Sequence, residues 1–356
     1  MDKNSYLGID IGTASLKLVE MKKSDRGLEL VNYGILENTF YLDKFSEPIQ
    51  ASVFKMSDKQ ITDLIKILLE KVQVNTNKAI ASFPIFSSFA TLLELPYMSE
   101  KQTDQIIESQ LKEYFPASPD QVVIEWFQVG VHQDDGGNIF NQIFLVSILK
   151  EQIEKYKNIF KDAGLDLIAF ELEGMSNARS LTSHDSENNL IIDIGARSTS
   201  FFIAQKGKLK FAGQTDFAGA SLTQTIAAGL NISLKKAENI KKENGLENFN
   251  TNPQLSTLME PIINVIIDEG KQVKSKFEKD HGGRIDRVIL TGGGARLSGL
   301  LNYAQEEMKL PVSFANPFSE LIYAPEMESL LPELKFKLSI AIGLGLKLYK
   351  RLEFKI

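Results

Sequence analysis

The chain has 356 residues with ordinary apolar and charged fractions, enough for two or three domains with sizeable cores. A net charge of -6 and a pI near 5.4 argue against the basic face that a nucleic-acid binder needs. With no cysteine, disulfide frameworks, thiol catalysis and Cys-ligated zinc are excluded as well.

The opening residues Met1-Asp2-Lys3-Asn4-Ser5 run straight into an apolar stretch that carries Asp10, with no cationic n-region, h-region or cleavage site visible. Leu7-Gly8-Ile9-Asp10-Ile11-Gly12-Thr13-Ala14-Ser15 reads as a strand, one Asp and a Gly-led turn, and Leu16 to Met21 as the returning strand of a β-hairpin. About half a chain later the pattern returns as Leu190-Ile191-Ile192-Asp193-Ile194-Gly195-Ala196-Arg197-Ser198, followed by Ser200 to Ala204. The repeat predicts two related lobes with a cleft between them.

Between the repeats, 83–167 reads as an inserted module of order strand-helix-strand-strand-helix-strand. Ala90 to Leu95 is a strand ended by Pro96, and Ser99-Glu100-Lys101-Gln102 is a capping box opening a helix that Pro116 closes. Val122 to Val131 and Ile139 to Leu149 are strands around the Asp134-to-Asn138 turn. Lys150 to Ala163 is a helix stopped by Gly164, with a strand to Ala169 after it. After the second hairpin, Ser233 caps a helix ending near Asn244-Gly245, and its lysines and glutamates mark a solvated face. A polar loop with Asn248, Asn250 and Asn252 precedes a long helix over about Leu255 to Lys279, which Pro261 should start or kink. The strand Arg287 to Leu290, the run Gly292-Gly293-Gly294, a helix from about Gly299 and a last helix over Lys335 to Leu352 complete an α/β chain. The apolar run Leu338 to Leu346 is far shorter than the roughly 20 residues of a membrane span. A soluble, cytoplasmic chain is expected.

A lone Asp in an apolar strand is either a turn-capping carboxylate or a group with a partner, because burying it alone is unfavourable. Asp10 and Asp193 occur in matching contexts, and two carboxylates facing across a cleft suit Mg²⁺ held through its waters with phosphate on the other side. Gly12 and Gly195 let backbone N–H groups form a phosphate nest, and Thr13, Ser15, Ser198 and Thr199 add hydroxyls. Lys17 is either a point charge for the terminal phosphates or an exposed strand lysine. Three glycines at 292–294 leave backbone bare enough for a ring or ribose to lie against it, or else form a plain turn.

With these motifs in this order the chain resembles the actin/heat-shock-chaperone/sugar-kinase superfamily over essentially its whole length. The two-lobed actin-like ATPase fold, α/β with an inserted small module, is what that implies. Phosphate-1 would span Gly8 to Lys17, including Ala14; phosphate-2 would span Ile192 to Thr199, including Arg197; the adenosine motif would run from Ile289 to Leu297. Glu238 and Lys241 are similar to the Glu-x-x-Lys helix that lines the purine pocket in bacterial members. Within the superfamily the chain resembles the PilM family of type IV pilus assembly, and its cousin FtsA, at Glu94-Leu95-Pro96-Tyr97, Tyr114-Phe115-Pro116, Asn316-Pro317-Phe318 and Ala341 to Lys347. It departs at Phe217-Ala218-Gly219, where the family's glycine pair is reduced to Gly219, and it ends at Arg351 to Ile356 without the amphipathic tail of FtsA.

The resemblance implies ATP and Mg as cofactors, with 1–82, 168–188 and 336–356 as a first lobe and 83–167 as an interaction module. Residues 189–230 with 285–335 would form the second lobe, and 231–284 a helical subdomain. It further implies a scaffold, peripheral at the inner membrane, that holds the cytoplasmic tail of a PilN-like protein near Phe83 to Phe86 and contacts other pilus assembly components, with self-association open and no direct membrane insertion. Phe83, Ile85 and Phe86 read equally well as core. The alternative is an ATP-dependent phosphotransferase of sugar-kinase type, or an FtsA-like cell-division protein. Glu173 lies where related ATPases orient a water, or is simply a helix-terminal carboxylate; His132, His184 and His281 sit in polar contexts and need no role.

Overall fold

The structure is a computed structural model that describes residues 4–38, 56–114, 119–134, 136–246 and 253–349. Phe115-Pro116, the loop asparagines 248–252 and the tail 351–356 lie outside the described residues. Alternating apolar segments give two sheets of matching order. In the first, β1 (Ser5–Ile11), β2 (Ser15–Ser24) and β3 (Gly27–Glu37) form an antiparallel meander, and β4 (Lys78–Phe83) and β8 (Asp166–Leu172) extend it in parallel beyond β1. In the second, β9 (Asn189–Ile194), β10 (Thr199–Gln205) and β11 (Lys208–Thr215) make the meander, and β12 (Arg287–Thr291) and β13 (Val312–Phe314) extend it. The weak sequence repeat is therefore a repeat of five-stranded topology. The register places Asp10 opposite Lys17 and Asp193 opposite Ser200, at equivalent ends of the two hairpins.

The inserted module is a separate antiparallel sheet of β5 (Ser88–Pro96), β7 (Ile139–Leu149) and β6 (Val122–Gln133), with β7 in the middle. The helix Glu100–Tyr114 follows Ser99, whose N–H donates to the Gln102 side chain as in the expected capping box, while its hydroxyl donates to the same oxygen and the Gln102 N–H goes to the Ser99 carbonyl. The strand after Gly164 does not join this sheet; as β8 it becomes the outer strand of the first sheet.

Two further differences concern the C-terminal third. Strand β14 (Leu321–Ile322) pairs with β3, so the first sheet captures a segment that the expected 285–335 boundary assigned to the second lobe. Phe318, Leu321, Met327 and Leu334 bury themselves with Val19 and Met21 there. The expected Lys335–Leu352 helix is shorter, Ser339–Leu346, preceded by the single turn Leu331–Leu334. The long helix runs from Pro253 to His281 straight through Pro261.

All eight residues of Ser339–Leu346 are buried, which explains an apolar pattern without a polar face. The helix is pressed between the first sheet and the helix Glu173–Thr182. Backbone contact is so close that a Cβ on Gly8 would lie 2.1 Å from the Ala341 carbonyl, and one on Gly343 would lie 2.0 Å from that of Ser176. The same seam buries an ion cluster. Arg179 forks both guanidinium nitrogens onto Glu171, at 2.5 and 2.9 Å, and Lys347 reaches Glu171 at 3.1 Å. Burial alone would raise the Glu171 carboxyl, but Arg179 and Lys347 hold it at about 2 instead of the ordinary 4.5.

A folded-state pKa below the unfolded one contributes stability that is complete above the unfolded value and is lost as pH falls toward the folded one. The cluster is therefore fully effective above about pH 4.5 and fails between there and about pH 2. Glu171→Gln should lose roughly 3–5 kcal/mol at pH 7, because two cations stay buried. Its unfolding free energy should then vary less between pH 4.5 and 2 than that of the unsubstituted chain. Urea titrations across this range check both statements, and an unchanged acid limb in the variant would contradict the assignment.

Candidate functional site

The two hairpins aim their turns into one cavity of about 520 Å³ between the sheets. Each turn closes the same way: the Gly12 N–H donates to the Ser15 carbonyl at 3.1 Å, and the Gly195 N–H to the Ser198 carbonyl at 3.0 Å. A Cβ at Gly12 would come within 3.1 Å of the Lys17 ammonium, and at Gly195 within 2.8 Å of the Ser198 carbonyl. Space requires glycine at 195, and at 12 a larger residue would have to displace its neighbours by a few tenths of an ångström.

Asp10 is 4% exposed and accepts from the Lys17 ammonium at 2.8 Å and the Ser82 hydroxyl at 3.1 Å. Asp193 accepts from the Asn177 side-chain amide at 2.9 Å. Glu173, first residue of the helix after β8, accepts from the Ser200 hydroxyl at 2.9 Å. These three carboxylates share the cavity with the Lys17 ammonium. Burial, reinforced by the charges of Asp193 and Asp10, pushes Glu173 up to about 8. Burial likewise raises Asp193, against the opposing pull of Asn177 and Lys17. Burial disfavours the Lys17 ammonium, yet Asp10 first and then Asp193 and Glu173 outweigh it, and its pKa is raised. At the hairpin ends Asp10 and Asp193 are the acidic pair, and a dication beside them would lower the cost of keeping both ionised. Among the described residues no three His, Asp or Glu side chains are grouped to ligate an ion directly, so a cation here fits as a hydrated one.

Beside Asp193 lies the glycine run after β12. Gly292 has φ +83°, and a Cβ there would lie 2.3 Å from the Asp193 carboxylate; at Gly294 it would strike Ile194 at 2.4 Å. Gly293 differs. A Cβ there meets no atom within 4 Å, so its α-carbon faces open cavity. The first and third glycines serve the fold, and the middle one is bare toward a ligand.

Glu238 and Lys241 line the same cavity, paired at 2.6 Å, with Lys241 also donating to the Gly219 carbonyl and the Thr223 hydroxyl, each at 2.8 Å. Burial lowers the Lys241 pKa although Glu238 pulls it upward. A single glycine suffices at Phe217-Ala218-Gly219: the Gly219 N–H donates to Gly195, and its Cβ would lie 3.2 Å from that carbonyl. Thr13, Ala14, Ser15, Arg197, Ser198 and Leu297 line the cavity too. Thr199 does not. Its hydroxyl is spent on the Phe217 carbonyl at 2.7 Å, so it anchors the turn instead of facing a phosphate.

Sequence reading missed Ser82, Asn177 and Ser200, the neutral partners of the acidic groups. It missed a chain of ion pairs at the rim, Arg296–Glu333 at 2.7 Å, Lys337–Glu333 at 3.2 Å and Lys337–Glu37 at 2.9 Å. Only Ser200 had a signal, its place opposite Asp193 in the repeat. Phe83 and Ile85 are buried, whereas Phe86 is 58% exposed and lines this cavity.

A second cavity, of about 350 Å³, lies between the inserted sheet and the first sheet. Its floor is the six-residue stretch Leu167 to Leu172 on the outer strand β8, and its far wall is the face of β6 and β7 carrying Phe127, Val146 and Ile148.

The structure aligns with that of a PilM-PilN type IV pilus biogenesis complex at TM-score 0.78 and 19% identity, covering 96% of this chain and 97% of that one. It aligns with MreB5 of Spiroplasma citri bound to AMPPNP at TM-score 0.50 and 14% identity, covering 88% and 92%. In sequence it is 24% identical to the cell division protein FtsA of Buchnera aphidicola over 89% of this chain and 86% of that protein. The fold is actin-like. The model of the type IV pilus assembly protein PilM family matches residues 8–349, and the chain belongs to that family.

Proposed function

We propose that this chain is a nucleotide-dependent scaffold of type IV pilus assembly, which binds Mg-ATP between its lobes and holds the cytoplasmic tail of a PilN-like inner-membrane protein in its apolar groove. The observation that carries the nucleotide half is the convergence of Asp10 and Asp193, from matched hairpins, on one cavity with bare backbone at Gly293. The turns at 12–15 and 195–198 would hold phosphates through N–H and hydroxyl donors, Lys17 would neutralise the terminal phosphate, and the Gly293 backbone would lie against the adenosine. Asp10 and Asp193 would hold a hydrated Mg²⁺, which would supply positive charge to offset that of the phosphates. Glu173 accepts a hydrogen bond from Ser200 and can hold or release a proton near neutral pH, which would suit it to orient a water.

The groove supports the partner half. β8 is an outer strand, so an extended tail can add to its edge while placing side chains among the apolar residues opposite. The module that forms this wall also touches the second lobe: Lys208 donates to the Gln128 carbonyl at 3.2 Å, and His281 Nδ1 lies 3.5 Å from Glu94. Lobe closure is thereby linked to the groove. No helix of the described residues is long and apolar enough to cross a membrane, so recruitment falls to the partner. The chain would work in the cytoplasm, at the inner membrane.

Three outcomes test this reading. Asp10→Asn and Asp193→Asn each keep the shape and remove one charge; calorimetry should show Mg-ATP affinity at least about tenfold weaker, ~1.4 kcal/mol, and unchanged affinity in both would refute the metal-facing pair. Gly293→Val should weaken nucleotide binding while the melting temperature of the nucleotide-free protein stays the same, since the added carbons meet no protein atom at their root. Co-sedimentation should occur with liposomes bearing a lipid-anchored PilN-like tail and not with bare liposomes. Binding to bare liposomes would contradict recruitment by the partner.

A further inference from the structure

The alternation of β6 turns Val123, Glu125 and Phe127 onto the groove wall, with Val146 opposite Glu125 on β7. A strand face lining an apolar cavity calls for apolar side chains, and Glu125 breaks that pattern at its middle. Among the described residues it makes no hydrogen bond or ion pair. The nearby cations pair with other carboxylates in this structure. Lys157, which lines the same groove, pairs with Glu154 at 2.8 Å, and Lys347 pairs with Glu171 at 3.1 Å. Burial pushes the Glu125 carboxyl up to about 7, with only the field of Lys347 opposing it. A half-buried carboxylate without a partner weakens the fold, and a leucine would suit the site better.

We propose that Glu125 is the specificity residue of the groove, accepting a hydrogen bond from a donor side chain, amide or basic, presented between apolar residues of an extended tail. This rests on the tail-binding reading above. The strand geometry makes it specific. A segment added to the β8 edge has every second side chain turned toward the β6–β7 wall, and the wall carries one polar acceptor among Val123, Phe127, Val146 and Ile148. A tail with a donor in register satisfies the acceptor, whereas a wholly apolar tail leaves the carboxylate buried and unpaired, which is how a buried polar group discriminates strongly.

The experiment uses the full chain and a labelled synthetic peptide of the PilN-like cytoplasmic tail, with a panel in which each polar residue is replaced singly by leucine. Fluorescence anisotropy should find one replacement that weakens binding at least about tenfold. Against Glu125→Leu the unsubstituted tail should weaken by a similar factor, and that same leucine peptide should recover most of the loss. Glu125→Gln separates the two donor classes, keeping affinity for an amide and losing it for a basic group. The melting temperature of Glu125→Leu should equal or exceed that of the unsubstituted protein, which separates loss of recognition from loss of fold. If Glu125→Leu binds the unsubstituted tail as tightly as before, the groove selects by shape alone and the proposal is wrong, while tail binding itself stands. If the unsubstituted protein binds no tail peptide, the scaffold reading fails and this inference with it.

Discussion

Three carboxylates, Asp10, Asp193 and Glu173, are brought into one chamber, with the Lys17 ammonium 2.8 Å from Asp10. Burial and the charges of Asp193 and Asp10 push Glu173 up to about 8, so bringing the three together carries a cost that the packing of the fold must offset. Two sheets of equal topology do so by ending their first strands at the same place. The neighbouring Glu171 shows what the chain does with a carboxylate meant only for structure. It is two residues away from Glu173, yet Arg179 and Lys347 satisfy it and hold it at about 2, whereas Glu173 is left at about 8. The contrast marks one as a clamp and the other as part of a charged site.

The clamp keeps the first lobe rigid where the site needs it. The helix Ser339–Leu346 touches β1 and the helix Glu173–Thr182 through glycines at 8 and 343, with no side chains between the backbones. Arg179, fully buried, donates to the Gly343 carbonyl at 2.8 Å as well as to Glu171. The base of Glu173 is thus fastened to β1, which carries Asp10. Packing of this kind tolerates little adjustment.

Much of this was legible in the sequence because the signals were local. The two strand-Asp-glycine units, the caps at Ser99 and Ser233 and the glycine run each depend on a few consecutive residues. What stayed hidden depended on distant partners. Nothing near Asn177 announces that it will hold Asp193, and nothing in Leu321-Ile322 shows that a two-residue strand will cross to β3. Phe86 was grouped with Phe83 and Ile85 by proximity in the chain, but a short turn after β4 sends it to the cavity between the sheets while they stay in the core. Thr199 fits the phosphate pattern by composition, and its hydroxyl was taken by a carbonyl 18 residues on.

The central claim is that the chamber is built for a nucleotide that arrives with a dication. Calorimetric titration of ATP into the unsubstituted protein, once with excess Mg²⁺ and once with a chelator, tests it directly. The account predicts affinity at least about tenfold weaker without Mg²⁺, because the phosphates would then face Asp10 and Asp193 without the dication's charge. Equal affinity under the two conditions would show that these carboxylates do not face the phosphates.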